Sequence, residues 1–503
     1  MLLWTLPVWV MLGCIASGRV GTSLAATFGL LTTIAVALLI APSGMDAAQL
    51  TLALQRGAWI GLTIAPYILG GLAFWQMATP GVTAERPPRS TGDHTDDALE
   101  SASSDDTTCK GQPSSQRRRR HLFLACFLIG PFAESATGFG AGMLGTIMLL
   151  RPLRIAPVPL MIFGLLSQTM IPWGGMGSST LLAATYAGLP PEKLGAFSTL
   201  PTGLLMVLIW LPLFWRTAHT AGLHVPRVWL TELGWIITSL LLAAFFTWHL
   251  GPETGLLASH GLLAALYYLH YQRPDHAALK RMIRQTLPYL LLTLVLVTTR
   301  LWTPLKTWLN TLLPLHPYTD LPALAPFFHA GCLMLLGCFV VALLKRRLPQ
   351  LPKILNDAVR QGSQPMLAIF LFSMIAEVLS GSGISHAYAD GLFASLGEKA
   401  MLATPLASAL FGILGNSANA GNSLFMASVI SLGTKIGLSL PLLAALQHAS
   451  GASMSLFSPV RMSMAAKLAD GNGQEQRVYR LLLPYGGVAL LILLGCAIVL
   501  YAV

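Results

Sequence analysis

Two runs of small and polar residues carry the groups that could do chemistry in this chain. The first run, 130–142, holds one carboxylic acid, Glu134, and the second, 412–423, is rich in amide side chains. Burial favours the neutral form of a carboxylic acid, so such a group can take up a proton and release it again. Hydroxyl and amide groups can hydrogen-bond a small anion and still let it go. The candidate groups for such bonds are Ser135, Thr137, Asn416, Ser417, Asn419 and Asn422.

Each run interrupts an apolar segment, and each is followed by a second interrupted segment, at 172–179 and at 448–454. One Gly/Ser cluster alone is explained by close packing of helices. Broken helices at corresponding places in two halves of a membrane protein indicate the binding site of a secondary transporter. We therefore expect the four breaks to surround one cavity, where helix N-termini attract an anion. Small residues let backbone approach a ligand, which adds as candidates Gly138, Gly140, Gly174, Gly177, Ser450 and Ser453.

The composition predicts an all-α polytopic membrane protein. Charged residues are 10% and hydrophobic residues 54% of the 503, against roughly 25% and 45–50% in soluble domains. Apolar runs long enough to cross a bilayer recur along the chain, as at 22–42, 229–248 and 481–503. The first residues lack the positive charge that precedes a cleaved signal, so we expect the first helix to be retained.

The basic residues predict the topology. Their clusters lie in short loops, which the positive-inside rule assigns to the cytoplasm. The net charge of +11 therefore indicates no nucleic-acid partner. With all clusters inside, 122–150 becomes a re-entrant hairpin followed by a broken helix at 156–188, and 401–435 becomes a hairpin entering from the opposite side, followed by a broken helix at 440–466. This gives about twelve transmembrane helices and two re-entrant hairpins in an inverted-topology repeat.

The expected organisation has five parts. Three helices in 1–78 precede a charged segment, 79–121, whose composition predicts a disordered cytoplasmic linker; a regulatory role is the alternative. The first repeat occupies 122–271, connecting helices and basic loops occupy 272–361, and the second repeat with the last helix occupies 362–503. The six cysteines show no metal-ligand spacing, so we expect reduced thiols, no metal and no cofactor.

The order of the motifs resembles the bacterial lactate permease family. The motifs are Gly130-x-Phe-x-Glu134-x-Ala136-x-Gly-Phe-Gly140, Trp173-Gly-Gly-Met-Gly177, Ser380-Gly-Ser-Gly383, Gly412-x-x-Gly415, the Asn/Ser run 416–423, Gln447-x-x-x-Gly451-x-x-Met454 and Met464-Ala-Ala-Lys-Leu-Ala-Asp-Gly471. The resemblance implies proton symport of L-lactate or a similar 2-hydroxy monocarboxylate across the bacterial inner membrane. Analogy with the wider fold implies a homodimer.

Four ionisable residues have competing interpretations. Glu134 is the candidate proton carrier, because an acid inside a membrane protein is costly unless it is functional or paired; alternatively it caps hairpin N–H groups. His448 could relay protons or simply pack between helices. Arg461 could anchor the substrate carboxylate or snorkel to the cytoplasmic interface. Glu377 is a second acid, at the end of a span, and we expect a position at the membrane interface to explain it.

Other functions have weaker support. A carrier of another small organic anion, with Na⁺ as a candidate coupling ion, is the main alternative, because amide oxygens and unwound carbonyls also suit Na⁺. An intramembrane serine hydrolase would use Ser178, Ser450 or Ser453 with a histidine such as His260, His329 or His448. No Gly-x-Ser-x-Gly elbow accompanies these serines, so we do not expect an enzyme. Paired hairpins also do not fit the continuous pore of a channel.

Overall fold

The computed structural model describes residues 2–17, 21–78, 114–138 and 140–502. Apart from one isolated β-bridge between Leu315 and Leu324, the regular elements in these ranges are helices. The expected all-α fold is therefore confirmed. The longer helices outside the two repeats' hairpins and broken helices are Leu6–Ala16, Thr22–Ile40, Ala47–Ala78, Pro191–Leu205, Leu211–Thr220, Val228–Leu250, Pro252–Gln272, His276–Leu301, Ala330–Leu344, Leu351–Gly381, Ile384–Leu396 and Glu475–Ala502.

Six helices in the described part of the chain are long and apolar enough to cross a membrane. A bent pair, His276–Arg284 and Thr286–Leu301, would make a seventh. Several shorter apolar helices, such as Ala330–Leu344, fall below that length. The count of about twelve crossings includes such shorter helices and stays a prediction.

The first hairpin consists of Ser114–Leu124, a π-helical turn at Ala125–Ile129, Gly130–Thr137 and the returning helix Ala141–Leu150. The chain reverses at Gly138 and Gly140, whose φ angles of 71° and 86° are accessible to glycine at no steric cost. The two arms are antiparallel, because Thr146 Oγ1 donates to Ala125 O at 2.9 Å. The tip therefore lies just after Glu134–Thr137, close to where the sequence predicted it.

The segment predicted as a disordered linker differs from the structure at its end. Residues 79–113 lie outside the described residues. Residues 114–121 were assigned to the linker, and this is wrong, because they form the first two turns of Ser114–Leu124. The assignment treated the basic residues as solvent-exposed. Arg119, however, is buried and pairs with Glu232 at 2.7 Å.

The first broken helix is interrupted over 167–177. Its first half is Pro157–Leu166, and a 3₁₀ turn, Ile171–Trp173, leads to Gly174–Ala187. Within that last helix, Gly175, Met176 and Gly177 have φ angles of 55°, 56° and 65°, so regular helix begins only at Ser178. Three successive left-handed residues unwind the chain completely. The break predicted at 172–179 is confirmed.

The second hairpin consists of Ala403–Gly415 and Asn419–Ile436. Asn416 adopts the left-handed conformation between them, with φ at 57°, which asparagine tolerates better than most residues. Gly421 packs against Ser408, so the two arms are antiparallel. The hairpin predicted over 401–435 agrees with these bounds.

The second broken helix is interrupted later than the sequence predicted. The break was placed at 448–454, and this is wrong: Leu440–Met454 is one continuous helix. The interruption is a 3₁₀ turn, Ser455–Phe457, after which Ser458 caps the helix Pro459–Leu468. Proline has no N–H and disfavours helix in the residue before it, so Pro459 starts a new helix.

Ion pairs join charged side chains of neighbouring segments. Arg56 contacts Glu377 at 2.7 Å and Asp320 at 2.6 Å. The side chain of Glu377 is buried against this arginine, and its expected position at the membrane interface stays a prediction. The Arg56 guanidinium also holds the pKa of the exposed Asp320 below its usual range. This carboxylate therefore stays ionised at neutral pH, and its contact with Arg56 weakens only as the pH falls through that lowered pKa.

Gly412 sits where two backbones come closest. A Cβ added there would lie 2.1 Å from Gly451 O, which leaves no room for a side chain. We expect Gly412→Ala to lower the free energy of unfolding by about 1–3 kcal/mol, the usual cost of overpacking. Thermal unfolding of the purified protein measures this. Gly495→Ala is the matched control, because no atom lies within 4 Å of its Cβ position. Equal melting temperatures for the two variants would contradict the packing role.

Candidate functional site

A cavity of about 360 Å³ lies where the two hairpins and the two broken helices meet. It also borders the helices Thr22–Ile40 and Leu351–Gly381. Its lining from the hairpins and broken helices comprises Glu134, Gly138, Gly140, Ile171, Gly174, Gly175, Ser178, Ser179, Gly415, Asn416, Ser417, Asn419, Val460, Arg461 and Met464. The structure thus brings the two halves of the chain together around one space.

The predicted site residues divide into two groups. Those that line the cavity are Glu134, Gly138, Gly140, Gly174, Asn416, Ser417, Asn419 and Arg461. Those that lie outside its lining are Ser135, Thr137, Gly177, Asn422, His448, Ser450 and Ser453.

Several of the outlying residues have structural partners. The hydroxyls of Ser135, Thr137 and Ser450 donate to carbonyls three or four residues earlier in their own helices, a common use of such side chains. Gly177 packs on Pro252, whose carbonyl carbon would lie 2.9 Å from an added Cβ. These groups do not face a ligand in this conformation.

Four helices begin at the cavity. Gly140 precedes Ala141–Leu150, Ser178 starts the regular part of Gly174–Ala187, Asn419 starts Asn419–Ile436, and Arg461 lies in the first turn of Pro459–Leu468. Helix N-termini carry unpaired N–H groups and a partial positive charge. Their convergence favours a negatively charged ligand.

Glu134 lies in the first hairpin and is 4% exposed. Its Oε1 accepts the Gly140 N–H at 3.3 Å, and its Oε2 accepts the Gly142 N–H at 3.0 Å. A third bond comes from Gln168 Nε2 at 3.1 Å. The carboxylate therefore caps the returning helix of its own hairpin while lining the cavity, so the two interpretations of this residue are compatible.

Arg461 turns into the cavity and does not snorkel away from it. It is 6% exposed, and its Nη1 donates to Gln168 Oε1 at 2.7 Å while its Nη2 donates to Asn416 O at 3.3 Å. Its Nε is buried without a partner. A buried guanidinium with an unused donor is suited to bind a carboxylate.

The sequence did not single out Gln168, which bridges these two charged residues. It follows the helix Pro157–Leu166 and is 0% exposed. Gln364 was also missed; its Oε1 accepts from Ser23 Oγ at 2.8 Å, and both residues line the cavity. The sequence offered one signal for Gln168, since it is a lone amide in an otherwise apolar segment just before a predicted break.

His448 joins three elements of the repeats. Its Nδ1 faces Asn422 Nδ2 at 2.9 Å and its Nε2 faces Thr180 Oγ1 at 3.0 Å. Asn422 Nδ2 also donates to Ser179 O, and Thr180 Oγ1 to Pro172 O. Because an amide nitrogen can only donate, Nδ1 must accept, and the imidazole is neutral with its proton on Nε2. His448 thus holds the two repeats together, and the predicted proton relay stays a prediction.

Two hairpins and two broken helices around one polar cavity define the class of a secondary membrane transporter. In the sequence, residues 320–503 match the family model of L-lactate permeases. This match confirms the resemblance that the motifs predicted, and the first hairpin lies outside it.

Two further comparisons bear on the chain. Among solved structures it is similar to the YdaH transporter of Alcanivorax borkumensis, whose crystal structure is described as having an unusual topology. The identity is 15% and the TM-score 0.34, over 90% of this chain and 97% of that one. No curated protein matches the chain.

Proposed function

We propose that this transporter imports L-lactate, or a similar small 2-hydroxy monocarboxylate, by proton symport. One observation carries the proposal: among the described residues that line the cavity, Glu134 is the only acid and Arg461 the only base. The two charges balance when no substrate is bound. A balanced pair makes the binding of a proton and the binding of an anion depend on each other.

Part of this dependence follows from the charges of Glu134 and Arg461. While Glu134 is ionised, an entering carboxylate would bring a second negative charge into a buried space, which is costly. Protonation of Glu134 removes its charge and leaves Arg461 uncompensated, and the substrate carboxylate then restores neutrality. The empty site is electrically balanced without the proton, and the loaded site is balanced with it. Proton and monocarboxylate therefore move together.

Unused hydrogen-bonding atoms fit the second functional group of a 2-hydroxy acid. Arg461 Nε is an unpaired donor, and Asn416 Oδ1 and Asn419 Oδ1 are unpaired acceptors. The donor suits the carboxylate, and the amide oxygens can accept from the hydroxyl on the neighbouring carbon. Leaving buried polar atoms unpaired costs about 1–3 kcal/mol each, so a ligand that satisfies them gains affinity and specificity.

The cellular setting is part of the same proposal. The family match supports a multi-pass membrane protein, and the basic clusters support a cytoplasmic location for the linker in a bacterial inner membrane. A homodimer is part of the proposal, and it is supported by analogy of fold alone.

Uptake of labelled L-lactate into proteoliposomes tests the function. We expect accumulation under an inward proton gradient and none under an inward Na⁺ gradient alone. Accumulation with Na⁺ alone would support the alternative carrier, since the unpaired amide oxygens also suit Na⁺. Absence of uptake under both gradients by folded protein would overturn the substrate assignment.

The hydroxyl contact gives a second test. Propionate has the carboxylate and carbon skeleton of lactate but no hydroxyl. We expect it to compete with L-lactate at least about tenfold more weakly, because it leaves the amide oxygens unpaired. Equal competition by propionate would show that the site binds the carboxylate and makes no contact with the hydroxyl.

A further inference from the structure

Gln168 connects the two charged residues of the cavity through one side chain. Its Oε1 accepts from Arg461 Nη1 at 2.7 Å, and its Nε2 donates to Glu134 Oε2 at 3.1 Å. The three residues come from the first broken helix, the second broken helix and the first hairpin, and all are buried. The amide is therefore a direct link between the acid of one repeat and the base of the other.

Chemistry fixes the orientation of this amide while both neighbours are charged. A guanidinium can only donate, so it requires Oε1, and an ionised carboxylate can only accept, so it requires Nε2. The opposite orientation would place Nε2 against the Arg461 donors and Oε1 against the carboxylate oxygens.

Protonation of Glu134 changes which orientation is favoured. A protonated carboxyl needs an acceptor, and two of its hydrogen-bond partners, the N–H groups of Gly140 and Gly142, can only donate. Gln168 is the partner that can reverse, because rotation of its amide presents Oε1 to the new proton. The same rotation turns Nε2 towards Arg461, which then loses its acceptor.

We infer that Gln168 is a positioning residue that transmits the protonation state of Glu134 to Arg461. With Glu134 ionised, Gln168 holds the Arg461 guanidinium. With Glu134 protonated, the reversed amide releases Arg461 Nη1. Both Nη1 and Nε of Arg461 are then free to donate to the substrate carboxylate. The proton comes from hydronium in the aqueous phase, so one O–H bond breaks there as the O–H bond of Glu134 forms, and no other covalent bond changes. This inference rests on the proposed proton symport.

The experiment compares the pH dependence of substrate affinity in wild type and Gln168→Met, which keeps the side-chain length and removes the amide. Michaelis constants for L-lactate exchange are measured with equal pH on both sides, between about pH 5.5 and 7.5. For wild type we expect the constant to rise with pH, with a limit of about tenfold per pH unit for one linked proton. For Gln168→Met we expect the Michaelis constant to rise by less than about threefold per pH unit, because no amide holds Arg461 away from the substrate at high pH.

Two further variants guard against a purely structural effect. Gln168→Asn keeps an amide that is one methylene too short to bridge both partners, and it should flatten the profile in the same way. Thr169→Val is the matched control, since Thr169 is the buried neighbour whose hydroxyl donates to Leu166 O. It should retain the wild-type slope. Substrate-induced stabilisation of each purified variant at the two pH extremes gives the same comparison without transport.

The outcomes separate the inference from the function. If wild type shows no change of affinity with pH, proton symport fails and the inference falls with it. If wild type shows the slope, and Gln168→Met and Gln168→Asn keep that slope with only a uniform change in affinity, the function stands and the role of Gln168 is overturned.

Discussion

We expect Glu134→Gln to abolish proton-driven accumulation of substrate while exchange of substrate across the membrane continues. Glutamine is neutral, as protonated glutamate is, so Arg461 still needs an anion and substrate still binds. It cannot release a proton, so the return of the empty carrier is blocked. We expect accumulation to fall by more than about 100-fold, and exchange at low pH to stay within about tenfold of wild type.

Parallel assays in one proteoliposome preparation check this: uptake under a proton gradient, and exchange of internal for external L-lactate with no gradient. Glu134→Asp is the matched control, because it keeps a titratable acid on a shorter side chain and should retain some accumulation. Equal loss of accumulation and exchange in Glu134→Gln would mean that the carboxylate only caps Ala141–Leu150.

Arg461→Gln should nearly eliminate substrate binding. Removing one partner of a buried, hydrogen-bonded charge pair costs about 2–5 kcal/mol, which corresponds to at least about 30-fold in affinity. We expect no saturation of exchange at any usable L-lactate concentration. Arg461→Lys should restore charge but little affinity, since an ammonium lacks the planar pair of donors. Lys280→Gln, which removes an exposed charge, controls for net charge.

Folding and binding can be separated for Arg461 with a double variant. Arg461→Gln alone leaves the Glu134 carboxylate buried without compensation, so it should also lower thermal stability. Adding Glu134→Gln removes that charge, and the double variant should regain stability without regaining binding. Recovery of exchange in the double variant would contradict the assignment of Arg461 as the anchor of the carboxylate.

The sequence predicted the all-helical fold and the two hairpins because these depend on local composition. Glycine at 138, 140 and 175 marks places where the backbone leaves the ordinary helical region, and a single sequence reveals this directly. The second break was misplaced because Gly451 looks like a helix breaker. The structure uses it for close packing against Gly412, and the true signal was the pair Ser458 and Pro459.

The side-chain network of the site could be predicted only in part. Glu134 and Arg461 stood out because charges are rare in apolar segments. No local sequence pattern marks Gln168 as a site residue, since its role arises from contacts with residues 34 and 293 positions away. Hydroxyls such as Ser135 were overestimated because their bonds to nearby helix carbonyls are invisible in the sequence.

The contact between Gly412 and Gly451 also limits how the cavity can open. Because the backbones touch there, we expect the arm Ala403–Gly415 and the helix Leu440–Met454 to move together. The first place where that body can flex relative to Arg461 is the 3₁₀ turn Ser455–Phe457. We therefore expect the chain to bend at this turn when the cavity opens, just before the proposed substrate anchor Arg461.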